Sequence, residues 1–198
     1  MNTAKTYLAL GDSYTIGEQV LLKDSFPYQL VQLLRKKSLP FTAPEIIAKT
    51  GWTTDELLAG IDALELLPGY DLVTLLIGVN NQYRGRATEN YAVEFTTLLK
   101  MSIQFAGNKP GQVVVVSIPD WGVTPFASGR NREQIAEKID AFNTINKSVA
   151  MDYGVHYIDI TPSSREAATQ TNLLAEDGLH PSARAYRQWA EKIAAIIR

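Results

Sequence analysis

The sequence predicts an α/β fold in which a five-stranded, mostly parallel sheet lies between two layers of helices. Three observations carry that reading. Five short runs rich in β-branched and apolar residues alternate with segments whose apolar residues fall at helical spacing. Two of these runs, residues 72–77 and 113–116, are almost continuously apolar, as central parallel strands covered on both faces should be. The chain has 198 residues, 45% hydrophobic and 20% charged. That is one domain of ordinary size, spanning residues 1–198 and able to bury roughly 70% of the surface its unfolded chain exposes.

Taken in order, the first strand covers residues 6–10. A helix follows around Pro27, a residue suited to a first turn, with Leu30, Val31, Leu33 and Leu34 as its apolar stripe. It closes on Arg35, Lys36 and Lys37, whose charges complement the carbonyl end of the helix. After a strand at 45–49, Thr53 and Glu56 form a capping box, and Leu57, Leu58, Ile61 and Leu64 continue that helix. A strand at 71–77 leads to a helix marked by Tyr91, Phe95, Leu98 and Leu99. A strand at 113–118 leads to one marked by Ile135, Ile139, Phe142 and Val149. The last strand covers 155–160, and Ala185, Trp189, Ile193 and Ile196 mark the final helix. No internal repeat or linker interrupts the series.

Composition narrows the function. The absence of Cys excludes disulfides and thiolate ligands. Two His and no carboxylates at ligand spacing leave no metal expected. A net charge of −2 with no basic face argues against nucleic acid as a partner. No run approaches the roughly 20 apolar residues of an integral membrane segment. Residues 1–5 run straight into the first strand without room for a signal peptide, so the expected location is cytoplasmic, although a chain already relieved of its leader would read the same. The sequence sets no oligomeric state.

Ligands of open parallel sheets bind beyond the carboxyl ends of the strands. Three polar motifs fall there. Ser13 follows the first strand through Gly11-Asp12, Gly51 follows the second, and Asn80 ends the third in Gly78-Val79-Asn80. A Ser hydroxyl becomes a nucleophile only when a base takes its proton. Near the C-terminus, Asp177 and His180 are three apart, a spacing that lets the carboxylate hold the imidazole in a turn or helix. Ser13 is thus the candidate nucleophile, His180 its base and Asp177 the orienting acid. Gly51 and Ser13 through their N–H groups, and Asn80 through its amide, are candidate oxyanion donors. Each motif alone has a plainer reading. Ser13 could cap a helix, Asn80 could be a turn residue and Gly51 a loop hinge. Asp177 or Ser182 could cap the last helix, with Pro181 in its first turn. The other histidine, His156, lies inside the fifth strand, where an imidazole more often packs than catalyses.

The order Ser, Gly, Asn, His, with Leu10-Gly11-Asp12-Ser13, Gly78-x-Asn80 and Asp177-x-x-His180-Pro181, resembles the SGNH subfamily of GDSL hydrolases from first strand to last helix. The resemblance implies a flavodoxin-like three-layer α/β/α sandwich, no cofactor, and hydrolysis of esters or thioesters through an acyl-serine. Two blocks depart from the family pattern. Asn81 stands where an Asp usually follows the third-block Asn, which leaves a supporting carboxylate in question. Gly51-Trp52-Thr53-Thr54 lacks the Ser that often follows the second-block Gly, and places Trp52 beside the site. Tyr14, Trp52, Asn81, Tyr83 and Trp121 are the candidate substrate-binding residues. Val20-Leu21-Leu22 and Trp121, Val123, Pro125 and Phe126 could form an apolar wall or could simply pack their loops. Gln82, Tyr83, Arg84 and Arg86 could face a polar leaving group or only solvent. The substrate expected is a small acylated molecule or a lysophospholipid. The rival readings are a carbohydrate O-acetyl esterase and a flavodoxin-like binding module without activity.

Overall fold

Five strands pair side by side in the computed structural model, which describes residues 4–198. They are β1 (Tyr7–Asp12), β2 (Glu45–Lys49), β3 (Leu72–Leu76), β4 (Val113–Val116) and β5 (His156–Ile158), in the order β2-β1-β3-β4-β5. Every ladder among the described residues is parallel, with Leu10 opposite Ile47 on one side and Leu75 on the other. The expected sheet, "mostly parallel", is wholly so. The chain leaves β1 outward to β2, then returns past β1 to β3. That reversal opens a crevice beyond the carboxyl ends of the central strands.

Burial follows the apolar patterning. Every residue of β1, β3 and β4 is buried, while β2 and β5, at the two edges, keep partly exposed faces. Most polar groups inside are paired, as where Tyr7 Oη meets Thr74 Oγ1 at 2.9 Å, while Thr15 Oγ1, Asn146 Oδ1 and Tyr186 Oη lie buried without a partner among the described residues. Helix α2 (Phe26–Lys36) packs against the last helix, α8 (Ala183–Ile196), with Phe26 and Trp189 ring centroids 6.4 Å apart. In the second helical group, α5 (Thr88–Phe105) packs against both α3 (Thr54–Asp62) and α6 (Arg132–Asp152). There Tyr91 and Phe142 rings lie 4.6 Å apart. Tyr91, Phe95, Leu98 and Leu99 are fully buried, and burial of each such side chain is worth about 1.5–3 kcal/mol. Three shorter helices, α1 (Ser13–Ile16), α4 (Val79–Tyr83) and α7 (Thr161–Arg165), start just past strand ends. Among the described residues, no helix is long and apolar enough to cross a membrane.

Strand limits match the sequence expectation only for β2; β3 and β4 stop short of residues 77 and 118, and the changes at β1 and β5 have a local reason. β1 continues to Asp12 because Gly11 and Asp12 still pair with Ala48 and Lys49 of β2. A Cβ at position 11 would come within 2.1 Å of Thr15 Oγ1 and 2.4 Å of the Leu76 carbonyl oxygen, so the chain can only pass here as glycine. β5 is shorter than expected, because the Ile160 N–H donates to Ser117 Oγ at 2.8 Å and leaves the ladder.

Candidate active site

At the end of β1 the chain turns into α1, and Asp12 makes the turn. Its backbone is extended and its Oδ1 accepts the Tyr14 N–H at 3.0 Å, capping the helix. Ser13 therefore occupies the first helical position and is not itself the cap. Its side chain lies in a buried position, and Ser13 Oγ makes no hydrogen bond among the described residues.

The segment before α8 carries the second group. Asp177 Oδ2 lies 2.5 Å from His180 Nδ1, and Asp177 Oδ1 accepts the N–H groups of Leu179 and His180, both at 3.0 Å. One carboxylate thus shapes the turn and holds the ring. The cap of α8 is Ser182, whose Oγ accepts the Ala185 N–H, and Pro181 precedes the cap instead of lying in the first turn. The His180 ring is buried against Tyr14, with ring centroids 5.3 Å apart, and Tyr14 packs in turn on Trp189. These contacts restrict the imidazole beyond what the carboxylate does.

Gly51 follows β2 with φ of 81°, the left-handed region in which glycine carries no side-chain penalty. Its N–H meets no acceptor among the described residues, while its carbonyl accepts from Arg84 Nη2 at 2.6 Å. Asn80 is not at a strand tip: it sits in the first turn of α4, after Gly78. Its Nδ2 donates to the Trp52 carbonyl at 3.0 Å and, over a longer 3.3 Å, to Asp12 Oδ2. Asp12 thus places a carboxyl group beside the Asn80 amide. Asn81 is buried and does different work. Its Oδ1 accepts the Thr54 N–H at 3.1 Å and its Nδ2 donates to Thr54 Oγ1 at 2.6 Å, fastening α4 to the start of α3.

Ser13, Gly51, Asn80 and His180 line one cavity of about 170 Å³, together with Tyr14, Thr50, Val79, Tyr83, Trp121, Phe126 and Leu179. Three of the five candidate substrate-binding residues, Tyr14, Tyr83 and Trp121, thus fall on it. Trp52 and Asn81 do not. The Trp52 ring packs over Gly60 of α3, where a Cβ would collide with it, and only its carbonyl reaches toward the site. Leu21 and Leu22 are exposed and outside the cavity, so the apolar wall comes from Trp121 and Phe126. Gln82 is buried and its Oε1 accepts Trp121 Nε1 at 2.7 Å. Arg84 and Arg86 pair with Glu56 and Asp55 at the start of α3, at 3.1 and 2.5 Å. Neither arginine is left for a ligand. His156 lies exposed at the first residue of β5, at the opposite edge of the sheet from the cavity, and does not pack in the interior as expected.

Sequence reading missed the pairing of Asp12 with Asn80, although both letters stand in recognised motifs. It also passed over Thr50, Val79 and Leu179, which carry no signal beyond their neighbourhood. Electrostatics set the two site carboxylates apart. Burial pushes Asp12 up to about 7, against the hydrogen bonds from Tyr14 and Asn80. Asp177 is partly desolvated, which raises it, but the His180 ring and the two backbone N–H groups together hold it below the usual Asp range.

The model of the GDSL-like Lipase/Acylhydrolase family matches residues 9–188. No curated protein matches the chain. Among solved structures, the protein TesA superposes with a TM-score of 0.74 at 18% identity, covering 98% of each chain. The psychrotrophic esterase EstA from Pseudoalteromonas sp. gives 0.72 at 18% identity, over 96% of this chain and 95% of that one. Axe2, an acetylxylan esterase from Geobacillus stearothermophilus, gives 0.75 at 17% identity, over 99% and 96%. The chain belongs to the GDSL-like lipase/acylhydrolase family, and its reaction class is carboxylic-ester hydrolysis.

Proposed function

We propose that this hydrolase, working as a single domain over residues 1–198, cleaves esters of short acyl groups through an acyl intermediate on Ser13. His180 is the general base and Asp177 the residue that orients it. The observation that carries this reading is the 2.5 Å contact of Asp177 Oδ2 with His180 Nδ1, in the wall of the small cavity that also holds Ser13. A carboxylate on Nδ1 keeps the proton there and leaves the Nε2 lone pair for the serine.

In the first step Ser13 Oγ bonds to the ester carbonyl carbon as its proton passes to His180 Nε2. The carbonyl oxygen becomes an oxyanion, met by the N–H groups of Gly51 and Ser13 and by Asn80 Nδ2. The Nδ2 hydrogen now spanning 3.3 Å to Asp12 is the weaker-held of the two and is the one that turns to the oxyanion. Collapse expels the alkoxide, which takes the proton from His180. Water then repeats the sequence on the acyl-serine, with His180 accepting its proton and returning it to Ser13 Oγ.

Cavity size favours short acyl groups. About 170 Å³ is well below the roughly 300–1,000 Å³ of pockets for drug-sized ligands. The same observation keeps a second reading, an O-acetyl esterase of carbohydrates, in play. The likeness to an acetylxylan esterase accords with it. An organophosphonate probe should label Ser13 stoichiometrically, and labelling should vanish in Ser13→Ala. Absence of labelling would remove the acyl-serine reading. A p-nitrophenyl ester series from acetyl to decanoyl should peak at the short end, and turnover of an acetylated xylo-oligosaccharide would select the second reading.

A further inference from the structure

Arg130 differs from Arg84, Arg86 and Arg165 in what holds its guanidinium. Arg84, Arg86 and Arg165 each pair with a carboxylate, whereas Arg130 forms no ion pair among the described residues. Its guanidinium lies instead on the rings that wall the cavity, 5.0 Å from the centroid of Tyr83, 5.2 Å from Trp121 and 5.7 Å from Phe126. One Nη donates to Tyr83 Oη at 3.1 Å.

The platform under it is fixed. Tyr83 and Trp121 centroids are 5.3 Å apart, Trp121 and Phe126 6.0 Å, and the Trp121 Nε1–H is tied to Gln82. Asp120, just before Trp121, is buried and salt-bridged to Arg165 at 2.9 Å. A guanidinium spread on aromatic faces loses little rotamer freedom on meeting a ligand, and only one of its five N–H donors is taken by Tyr83.

We propose that Arg130 is an anion subsite at the cavity mouth, selecting ester substrates that carry a carboxylate or phosphate on the part lying against Tyr83, Trp121 and Phe126. This rests on the hydrolase reading above and adds the charge of its substrate. A planar fork of donors suits both oxyanions, and an ion pair at this exposed arginine favours the charged substrate by up to about fivefold.

Two matched pairs test the proposal and distinguish where the anion sits. The p-nitrophenyl half-ester of glutaric acid is set against p-nitrophenyl pentanoate, and the butyryl ester of glycerol phosphate against that of glycerol. All rates are read above a Ser13→Ala background. In at least one pair kcat/KM should favour the anionic member by about two- to fivefold. That ratio should fall toward one in Arg130→Gln, shrink in high salt and recover in part in Arg130→Lys. Equal rates within both pairs would overturn the proposal, and so would a preference that persists in Arg130→Gln. A rise in neutral-ester turnover in Arg130→Gln, without loss of an anionic preference, would make Arg130 a plug over the cavity and likewise overturn it. Calorimetry separates the two readings if no ester turns over: Ser13→Ala should bind at least one of monomethyl glutarate and glycerol phosphate, and the added Arg130→Gln should abolish that binding. No binding by Ser13→Ala, or binding unchanged by Arg130→Gln, would refute the subsite independently of catalysis.

Discussion

The two edges of the sheet each hold a histidine, a carboxylate and a cavity, and only one of them is built for chemistry. At the amino edge, Lys5, Phe41, Asp71, Gln112 and His156 line a space of about 600 Å³, over three times the volume at the carboxyl edge. Yet Asp71 there is spent on the start of β1, accepting the Thr6 N–H at 2.9 Å, with Lys5 at 3.9 Å. His156 makes no hydrogen bond to it among the described residues. At the carboxyl edge the smaller cavity gathers Ser13, the free N–H of Gly51, the amide of Asn80 and a ring held at 2.5 Å by its carboxylate. Volume does not identify the site. What does is the convergence of loops leaving three adjacent strand ends, which parallel pairing produces at that edge alone.

The sharpest way to break this contrast is to exchange the fates of the two histidines. His180→Ala should lower turnover of a short p-nitrophenyl ester by about 10⁴–10⁶-fold, while His156→Ala should leave it unchanged. The reverse pattern would move the base to the other edge. Next in size is Asp177→Asn, which removes the acceptor at Nδ1 and should cost about 10⁴-fold in kcat with the fold retained by circular dichroism. A loss of only a few-fold would mean that Tyr14 packing alone orients the ring. Asn80→Ala should then cost on the order of 10²–10³-fold in kcat with KM little changed, as expected of a donor that acts in the transition state. If instead KM rose and kcat stayed level, the amide would serve ground-state binding.

How much of this was legible in the sequence depends on what each residue answers to. The strands and main helices were, because Leu72, Val73, Leu75 and Val113–Val116 bury on both faces and the helical stripes bury on one. The triad candidates and Gly51 could be picked out too, since Ser13 and Gly51 follow strand ends and Asp177 and His180 stand three apart in one turn, each with a motif around it. Trp52, Asn81, Arg84 and Arg86 were misplaced for one shared reason. They follow site residues in the chain, but α3 and α4 turn their side chains into contacts with each other: Asn81 to Thr54, Arg84 to Glu56, Arg86 to Asp55 and Trp52 onto Gly60. Side-chain contacts between segments separated by a strand have no periodicity to betray them. Arg130 was invisible for the same reason, because its partners lie on α4 and on the turns after β4.

The smallest expected effect concerns Asp12, and it separates the two carboxylates of the site by sign. Asp12 is fully buried and raised to about 7. An unfolded Asp titrates near 3.9, so across the interval from about pH 4 to 7 the folded chain holds a proton that the unfolded chain has released. Folding is therefore favoured by Asp12 at low pH, and that contribution is lost as pH rises through about 7, at no more than about 1.4 kcal/mol, or tenfold in the folding constant, per pH unit. Asp177, lowered by His180 and two backbone N–H groups, acts in the opposite direction: its contribution is present above the unfolded Asp value and is lost as pH falls. Chemical denaturation of wild type and Asp12→Asn from pH 4 to 8 isolates the first effect. The neutral amide can still accept the Tyr14 N–H, so the cap survives, but it never gains the charge that Asp12 acquires beside Asn80 Nδ2 above about pH 7. The stability difference between the two proteins should shift in favour of the amide variant as pH rises from 4 to 7 and then level off. A difference constant across that range would show that Asp12 ionises freely in the folded protein, and its charge would then support Asn80 at every working pH.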